Sequence, residues 1–335
     1  MLVYAGIDEA GYGPAFGPMT VGRCVMRVPK LSSTAELPEL WSRLSRAVCR
    51  TLSGRKGRVV VNDSKKLKTK AAGIKHLEMG CLAFASLAGV EMKDVGEWLD
   101  AMGESSHRSL RGLPWYTVAV AGAWAELPCA VDAGELAVAR SMLSQTCRRI
   151  GVEVADLGTA VVLEDRFNRM VDATRSKAAV NFTFIAQHLR HVWNGYGEHR
   201  PVVVVDRQSG RMRYRDLLAM NFEGCSVAIL RESPEASAYV IEEPGATGSA
   251  GAARAMTVHF QTQAESGHMP VALASMLAKY NRELLMHRFN TYFSRHAPEV
   301  APTAGYGSDA KRFWQAIQPH LPRLGVSGQA LRRHA

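Results

Sequence analysis

Gly6-Ile7-Asp8-Glu9-Ala10-Gly11-Tyr12-Gly13-Pro14-Ala15-Phe16-Gly17-Pro18 is the stretch on which the reading of this 335-residue chain turns. The apolar run Leu2-Val3-Tyr4-Ala5 before it predicts a buried strand, so two adjacent carboxylates fall where a strand gives way to a turn. Neighbouring side chains of a regular strand point to opposite faces. Asp8 and Glu9 therefore share one site only if the backbone bends between or just after them, and Gly11, Gly13 and Pro14 supply that bend. The same glycines leave backbone N–H and C=O groups that a ligand can approach without meeting a Cβ. Acids beside bare backbone suggest a metal next to a phosphate or sugar. The residues alone also allow a strand followed by a Gly/Pro loop with two solvated acids.

The stretch closely resembles the signature of the type 2 ribonucleases H (ribonuclease HII), written roughly G-I-D-E-A-G-R-G-P-x-x-G-P, with Tyr12 where that family has Arg. Further motifs follow the same pattern. Asp63-Ser64-Lys65-Lys66-Leu67 matches the second family motif, in which the resemblance implies that lysines lie near the nucleic-acid backbone. Asp63 or Ser64 also reads as the N-cap of a helix running on through Ala71, Ile74 and Leu77. Lysines at a helix start oppose the dipole, which favours a phosphate-facing role for Lys65 or Lys66.

Val202-Val203-Val204-Val205-Asp206 has the pattern of a doubly covered central strand delivering an acid at its C-terminal edge. The resemblance implies a metal ligand at Asp206. The following basic run, Arg207 to Arg215, reads either as a groove lining or as a solvated charge run. Pro270 to Met286 opens a long helix similar to the family's A-S-I-I-A-K-V-x-R-D-R-x-M, with Glu283 in the place of the final Asp. Gly305-Tyr306-Gly307-Ser308 resembles the family's G-Y-G-T turn, which implies that Tyr306 contacts the substrate sugar. Ser308 is the expected cap of a last helix over 309–320.

Elsewhere the sequence predicts a second strand over 19–28, antiparallel to the first, a helix over 37–52, a helix over 133–150, a strand over 159–163, part of a helix over 181–189, strands over 225–230 and 256–260, and a loop over 245–251. Glu164 and Asp165 read as a solvated turn, and Leu331-Arg332-Arg333-His334-Ala335 as a frayed basic tail. Residues from about 88 to 158 match nothing in the family. They read as an insertion whose Trp98, Trp115, Tyr116 and Trp124 form a small core of its own.

The expected fold is thus α/β and ribonuclease-H-like, a five-stranded mixed core sheet flanked by helices, with the inserted segment and a C-terminal helical part. Residues 1–295 are expected to form the catalytic domain and 296–335 a helical segment packed on it. Lys and Arg number 41 against 31 Asp and Glu, a net charge of +10 that favours polyanionic partners. The six cysteines show no C-x-x-C pair, which predicts reduced core thiols and a cytoplasmic protein. Neither a signal peptide nor a membrane span is expected, and the chain is expected to be monomeric.

The resemblance brings Asp8, Glu9, Asp206 and Glu283 into one pocket as catalytic metal ligands. Carboxylates within about 4 Å of one another repel by roughly 4 kcal/mol per pair at an effective dielectric near 20, so such a cluster implies cations. Oxygen ligands select Mg²⁺ or Mn²⁺, with two ions expected during catalysis. The implied activity is endonucleolytic hydrolysis of RNA in RNA/DNA hybrids, or of ribonucleotides embedded in duplex DNA, leaving 5′-phosphate and 3′-hydroxyl ends. Gly11, Tyr12 and Gly13 correspond to the family segment that reads the 2′-hydroxyl. A ribonuclease-H-like nuclease for branched or structured DNA and a non-catalytic nucleic-acid binder are the alternatives.

Overall fold

The computed structural model describes residues 1–30, 37–69, 71–103, 110, 112–117, 124–207, 210–244 and 253–334. The loop expected over 245–251, and Gln208 and Ser209 of the basic run, lie outside them. Nine strands are present among these residues: β1 (Leu2–Ala10), β2 (Met19–Val28), β3 (Val48–Cys49), β4 (Val59–Val60), β5 (Glu153–Val162), β6 (Val202–Asp206), β7 (Ser226–Glu232), β8 (Ala236–Glu242) and β9 (Ala255–Gln261). Seven of them form one sheet in the order β5-β2-β1-β6-β9-β8-β7. β1, β6 and β9 run parallel, while β2 and β5 on one side and β8 and β7 on the other are antiparallel to their neighbours.

This is the ribonuclease-H-like α/β arrangement that the motifs led us to expect, with two strands more than five. β7 and β8 form a hairpin on β9, closed at Ser233, whose N–H donates to the Ala236 carbonyl at 2.9 Å. Ala236-Ser237-Ala238-Tyr239-Val240-Ile241 alternates in the manner of a half-buried strand, a strand absent from the elements expected above.

Among the described residues the α-helices, in chain order, are α1 (Leu40–Arg43), α2 (Ser64–Leu67), α3 (Lys75–Leu87), α4 (Val95–Met102), α5 (Ala133–Ile150), α6 (Glu164–Thr174), α7 (Lys177–Tyr196), α8 (Arg215–Asn221), α9 (Ala264–Gly267), α10 (Met269–His296) and α11 (Gly307–Ile317), followed by two one-turn helices, Leu321–Leu324 and Gly328–Leu331. The two sheet faces are covered by different helices. On β1 the residues Val3, Ala5 and Ile7 pack under α7 with Val180, Phe184 and Leu189, while Tyr4 belongs to the core built around α10. Gly6 and Gly22 face α10, where an added Cβ would lie 2.1 Å from Val271 N and 2.2 Å from the Ala274 carbonyl oxygen respectively. That contact sets the depth of α10 on the sheet.

Several expected elements differ. The helix over 37–52 is confined to α1, because Val48 and Cys49 pair in parallel with Val59 and Val60 as a second, two-stranded sheet. The helix from Ser64 stops at Leu67, where Lys68 turns extended and Gly73 adopts a left-handed φ of +54°, before α3 starts afresh. α11 begins at Gly307, not Asp309, with Tyr306 at its N-cap position. The segment over 88–158 contains most of β5, a strand of the main sheet, so it is not wholly an insertion.

Its aromatics do not form a separate core either. Trp98 donates from Nε1 to Asn281 Oδ1 at 2.7 Å and meets Tyr280 edge-on, Trp115 packs on Phe293, and Trp124 stacks on His287 at 4.0 Å, all on α10. The six cysteines are all free thiols, and no helix among the described residues is long and apolar enough to cross a membrane.

Candidate active site

The parallel strands β1, β6 and β9 end at the same edge of the sheet, the edge where open α/β sheets bind ligands. Ile7 pairs with Val205, so Asp8 and Asp206 leave neighbouring strands side by side. β1 stays regular through Ala10, and the bend comes at Gly11, with φ +80°. Asp8 therefore faces α10 and Glu9 the opposite side, and both reach the pocket beyond the strand end. β9 continues through a turn at Gln263, φ +54°, into α9, which brings Glu265 to the same place.

The pocket has a volume of about 230 Å³. Asp8, Glu9, Asp63, Asp206 and Glu265 supply its acids, and of these Asp63 is committed as the cap of Lys65 N at 2.9 Å. Asp8 Oδ1 accepts from Glu9 N at 2.7 Å, and Asp206 Oδ1 accepts from Ala264 N at 2.8 Å. Burial, followed by the charges of Glu9 and Asp206, pushes the Asp8 carboxyl well above the usual range. Burial also raises Asp206 to about 7, with Glu265 and Glu9 adding to it against the Ala264 N–H.

Neighbouring carboxylates thus make Asp8 and Asp206 harder to ionise, a state that an added cation relieves. Among the described residues no group of three or more His, Cys, Asp or Glu side chains is placed to hold a metal ion as it stands. The donor set nevertheless fits a hard divalent ion: oxygen only, acidic, and gathered in one pocket.

Of the other residues marked in the sequence, Gly11, Tyr12, Gly13, Lys65 and Tyr306 line this pocket. Lys66 is exposed and outside the lining. Glu283 also stands apart from it. Its two oxygens are held by Lys68 at 2.6 Å and Lys279 at 2.9 Å, and although burial acts to raise its pKa, the two ammonium groups outweigh it and lower it. Lys279, one helical turn earlier, is the residue of this pair that lines the pocket. The motif contained it as the Ala-Lys of the helix, without a role. Glu265 had no sequence signal beyond its position shortly after a strand.

No family model matches the chain, and no curated protein matches it. Solved structures it is similar to include ribonucleases HII and HIII. One is ribonuclease HII from Archaeoglobus fulgidus, solved in complex with PCNA, at 15% identity and a TM-score of 0.40, covering 99% of this chain and 94% of that one. Ribonuclease H2 from Pyrococcus horikoshii shares 14% identity with a TM-score of 0.41, over 98% of this chain and 92% of the other. Bst ribonuclease HIII in complex with Mn²⁺ shares 13% with a TM-score of 0.42, over 99% of this chain and 66% of that one.

Behind the ribonuclease-HII-like signature lies a buried charged frame. Arg282 is 1% exposed and donates to the carbonyls of Pro18 (2.9 Å), Phe16 (3.1 Å) and Ala304 (3.2 Å), tying the signature loop to the Tyr306 turn. Gly17 and Gly305 are required there, since a Cβ would fall 2.4 Å from Arg282 Nη1 and 2.5 Å from the Phe16 carbonyl oxygen.

Glu164, expected in a solvated turn, is fully buried: its Oε1 accepts from Gly17 N at 3.1 Å and from the Tyr116 hydroxyl at 2.6 Å. Asp165 does face outward and pairs with Arg169 at 2.8 Å. Arg207 is not part of a solvated run, because its guanidinium is tied to the carbonyls of Ser233 and Pro234. Arg211 lies beside Asp206 and Tyr214 in an adjoining small cavity.

Proposed function

We propose that this protein is a metal-dependent endoribonuclease that hydrolyses RNA in RNA/DNA hybrids, or ribonucleotides embedded in duplex DNA, leaving 5′-phosphate and 3′-hydroxyl ends. The observation that supports it is the gathering of Asp8, Glu9, Asp206 and Glu265 in one pocket with the bare backbone of Gly11 to Gly13 on its rim. In this reading those four acids hold Mg²⁺ or Mn²⁺, and Glu265 takes the place first given to Glu283. The bound ions supply an activated water and charge stabilisation at the leaving 3′-oxygen.

The chain's own residues do the rest. Lys65 and Lys279 present ammonium groups to the phosphates flanking the cleaved bond, and Ser275 and the backbone orient Asp8. Tyr306, half exposed at 42%, offers a ring face and a hydroxyl to the sugar, while the Gly11–Gly13 backbone meets the 2′-hydroxyl. Lys279 and Arg282 lie 6.0 and 5.4 Å from the Tyr306 ring. Burial acts to raise its phenol, but these two cations outweigh it and lower the pKa.

The test is cleavage of three matched duplexes with Mg²⁺ or Mn²⁺: an RNA/DNA hybrid, DNA with one ribonucleotide, and all-DNA. Cutting at the ribonucleotides and not in all-DNA is expected. Equal cutting of all three would favour a structured-DNA nuclease, and binding without turnover a non-catalytic relative.

A further inference from the structure

The C-terminal segment expected to fray is folded into the site. Arg333 is 2% exposed, its guanidinium 3.9 Å over the Phe167 ring. It donates from Nη1 to the Gly11 carbonyl and from Nη2 to the Tyr12 carbonyl at 2.7 Å, while its own N–H donates to the Ala15 carbonyl at 2.8 Å. Asn168 on α6 hooks the segment in place: Nδ2 donates to the carbonyls of Gln329 and Arg332 at 2.8 Å each, and Oδ1 accepts from His334 N at 2.7 Å. A charge this deep costs free energy unless it is hydrogen-bonded, and here the two Nη groups make those bonds to the loop carbonyls.

The geometry has a consequence for the pocket. In a planar trans peptide the C=O and N–H point to opposite sides. Arg333 holds the oxygens of two successive peptides, Gly11–Tyr12 and Tyr12–Gly13, from the protein side. The N–H groups of Tyr12 and Gly13 are thereby turned together away from Arg333, as in the backbone concavities that bind anionic or hydroxyl oxygens. Both residues line the pocket, and a Cβ at Gly13 would meet nothing within 4 Å.

We propose that Arg333 is a positioning residue for substrate reading: it sets the two N–H donors that distinguish a ribonucleotide from a deoxyribonucleotide, so that the C-terminal segment is part of the specificity apparatus. This rests on the proposed ribonuclease activity. Arg333→Met keeps the apolar bulk over Phe167 and removes the donors. Asn168→Ala unhooks the segment without touching the loop.

The readout is the affinity ratio between duplexes with one ribonucleotide and all-DNA, measured in Ca²⁺ to suppress turnover, alongside thermal melting. Arg333→Met is expected to lower that ratio about tenfold, the worth of one well-placed hydrogen bond, with all-DNA affinity within twofold, and Asn168→Ala to lower it less. Ratios within twofold of wild type in both folded variants would overturn the inference, and if Arg333→Met does not fold, Asn168→Ala decides alone. If the wild type shows no ribonucleotide preference, the functional reading has failed. Hydrogen exchange at the Tyr12 and Gly13 amides then decides the positioning role by itself: a change in either variant upholds it and identical rates overturn it.

Discussion

Glu283 and Lys279 are paired at 2.9 Å one turn apart on α10, and the second oxygen of Glu283 is closed off by Lys68 at 2.6 Å. The carboxylate is therefore neutralised by two ammonium groups at the pocket's edge, and only Lys279 reaches the lining. In the proposed reading Glu283 holds these two lysines in place of a metal. Glu283→Gln should weaken substrate binding or turnover by about two- to fivefold, in the range of partly exposed ion pairs, and equally with Mg²⁺ and Mn²⁺. A selective loss with Mg²⁺ that Mn²⁺ rescues would return Glu283 to the metal.

Asp206, beside Glu265, stands in the opposite situation, since burial and neighbouring carboxylates raise it to about 7 and leave it waiting for positive charge. Asp206→Asn should abolish hydrolysis while hybrid binding stays within a few-fold, because losing one negative charge does not weaken attraction for a polyanion. Glu265→Gln should reduce turnover by about a hundredfold, an effect of the size seen for groups that orient a reactive centre, and raise the metal concentration needed for half-activity. Rates for Glu265→Gln close to those of Glu283→Gln would remove Glu265 from the metal site.

What could be read in the sequence was whatever was encoded locally. Asp8, Glu9 and Asp206 sit at the ends of apolar runs, and a strand end followed by glycine or a basic run is visible without tertiary information. Glu265 lies on a four-residue helix with no periodicity, and it reaches the pocket only because β9 pairs in parallel with β6. Glu283 was placed by its position in a linear motif, whereas the direction of its side chain on α10 is set by Lys68, 215 residues away. Arg333 looked like a tail charge because its acceptors are backbone carbonyls more than 300 residues earlier, and a sequence carries no mark of a carbonyl's need for a donor.

Glu164 should leave a signature in the pH dependence of stability. Its burial lifts the carboxyl from the ordinary 4.5 to about 7, against the opposing pull of the Tyr116 hydroxyl, a backbone N–H, Arg333 and Arg282. Between those two values the folded protein keeps a proton that the unfolded chain has released. The associated stabilisation is present in full below the unfolded value and is lost as pH rises through about 7, an effect on the order of a few kcal/mol. Glu164→Gln retains an oxygen to accept from Gly17 N and the Tyr116 hydroxyl, and cannot titrate. Chemical denaturation at pH 5 and 7.5 should therefore show a smaller loss of stability for the variant than for wild type; equal losses would mean that Glu164 is ionised in the folded protein at both pH values.

Tyr12 is where the chain departs from the family signature at the point of proposed substrate contact. Its side chain is half-buried, and burial and the charge of Glu9 raise its phenol while Arg211 and Arg333 act in the other direction. A cation is thus already near this position, although Tyr12 carries none. An arginine there would add a phosphate contact, and each phosphate neutralised on duplex DNA steepens the salt dependence of binding by roughly 0.9 in the log–log slope. Ribose reading is assigned to the backbone that Arg333 holds, so it should survive the side-chain change. Tyr12→Arg is expected to tighten duplex binding at low salt and steepen its salt dependence by about one such unit, with the ribonucleotide preference kept within twofold. Affinity titrations across a salt series on duplexes with and without one ribonucleotide measure both quantities. An unchanged slope would show that residue 12 does not face a phosphate, and a lost preference would move ribose reading from the backbone to the Tyr12 ring.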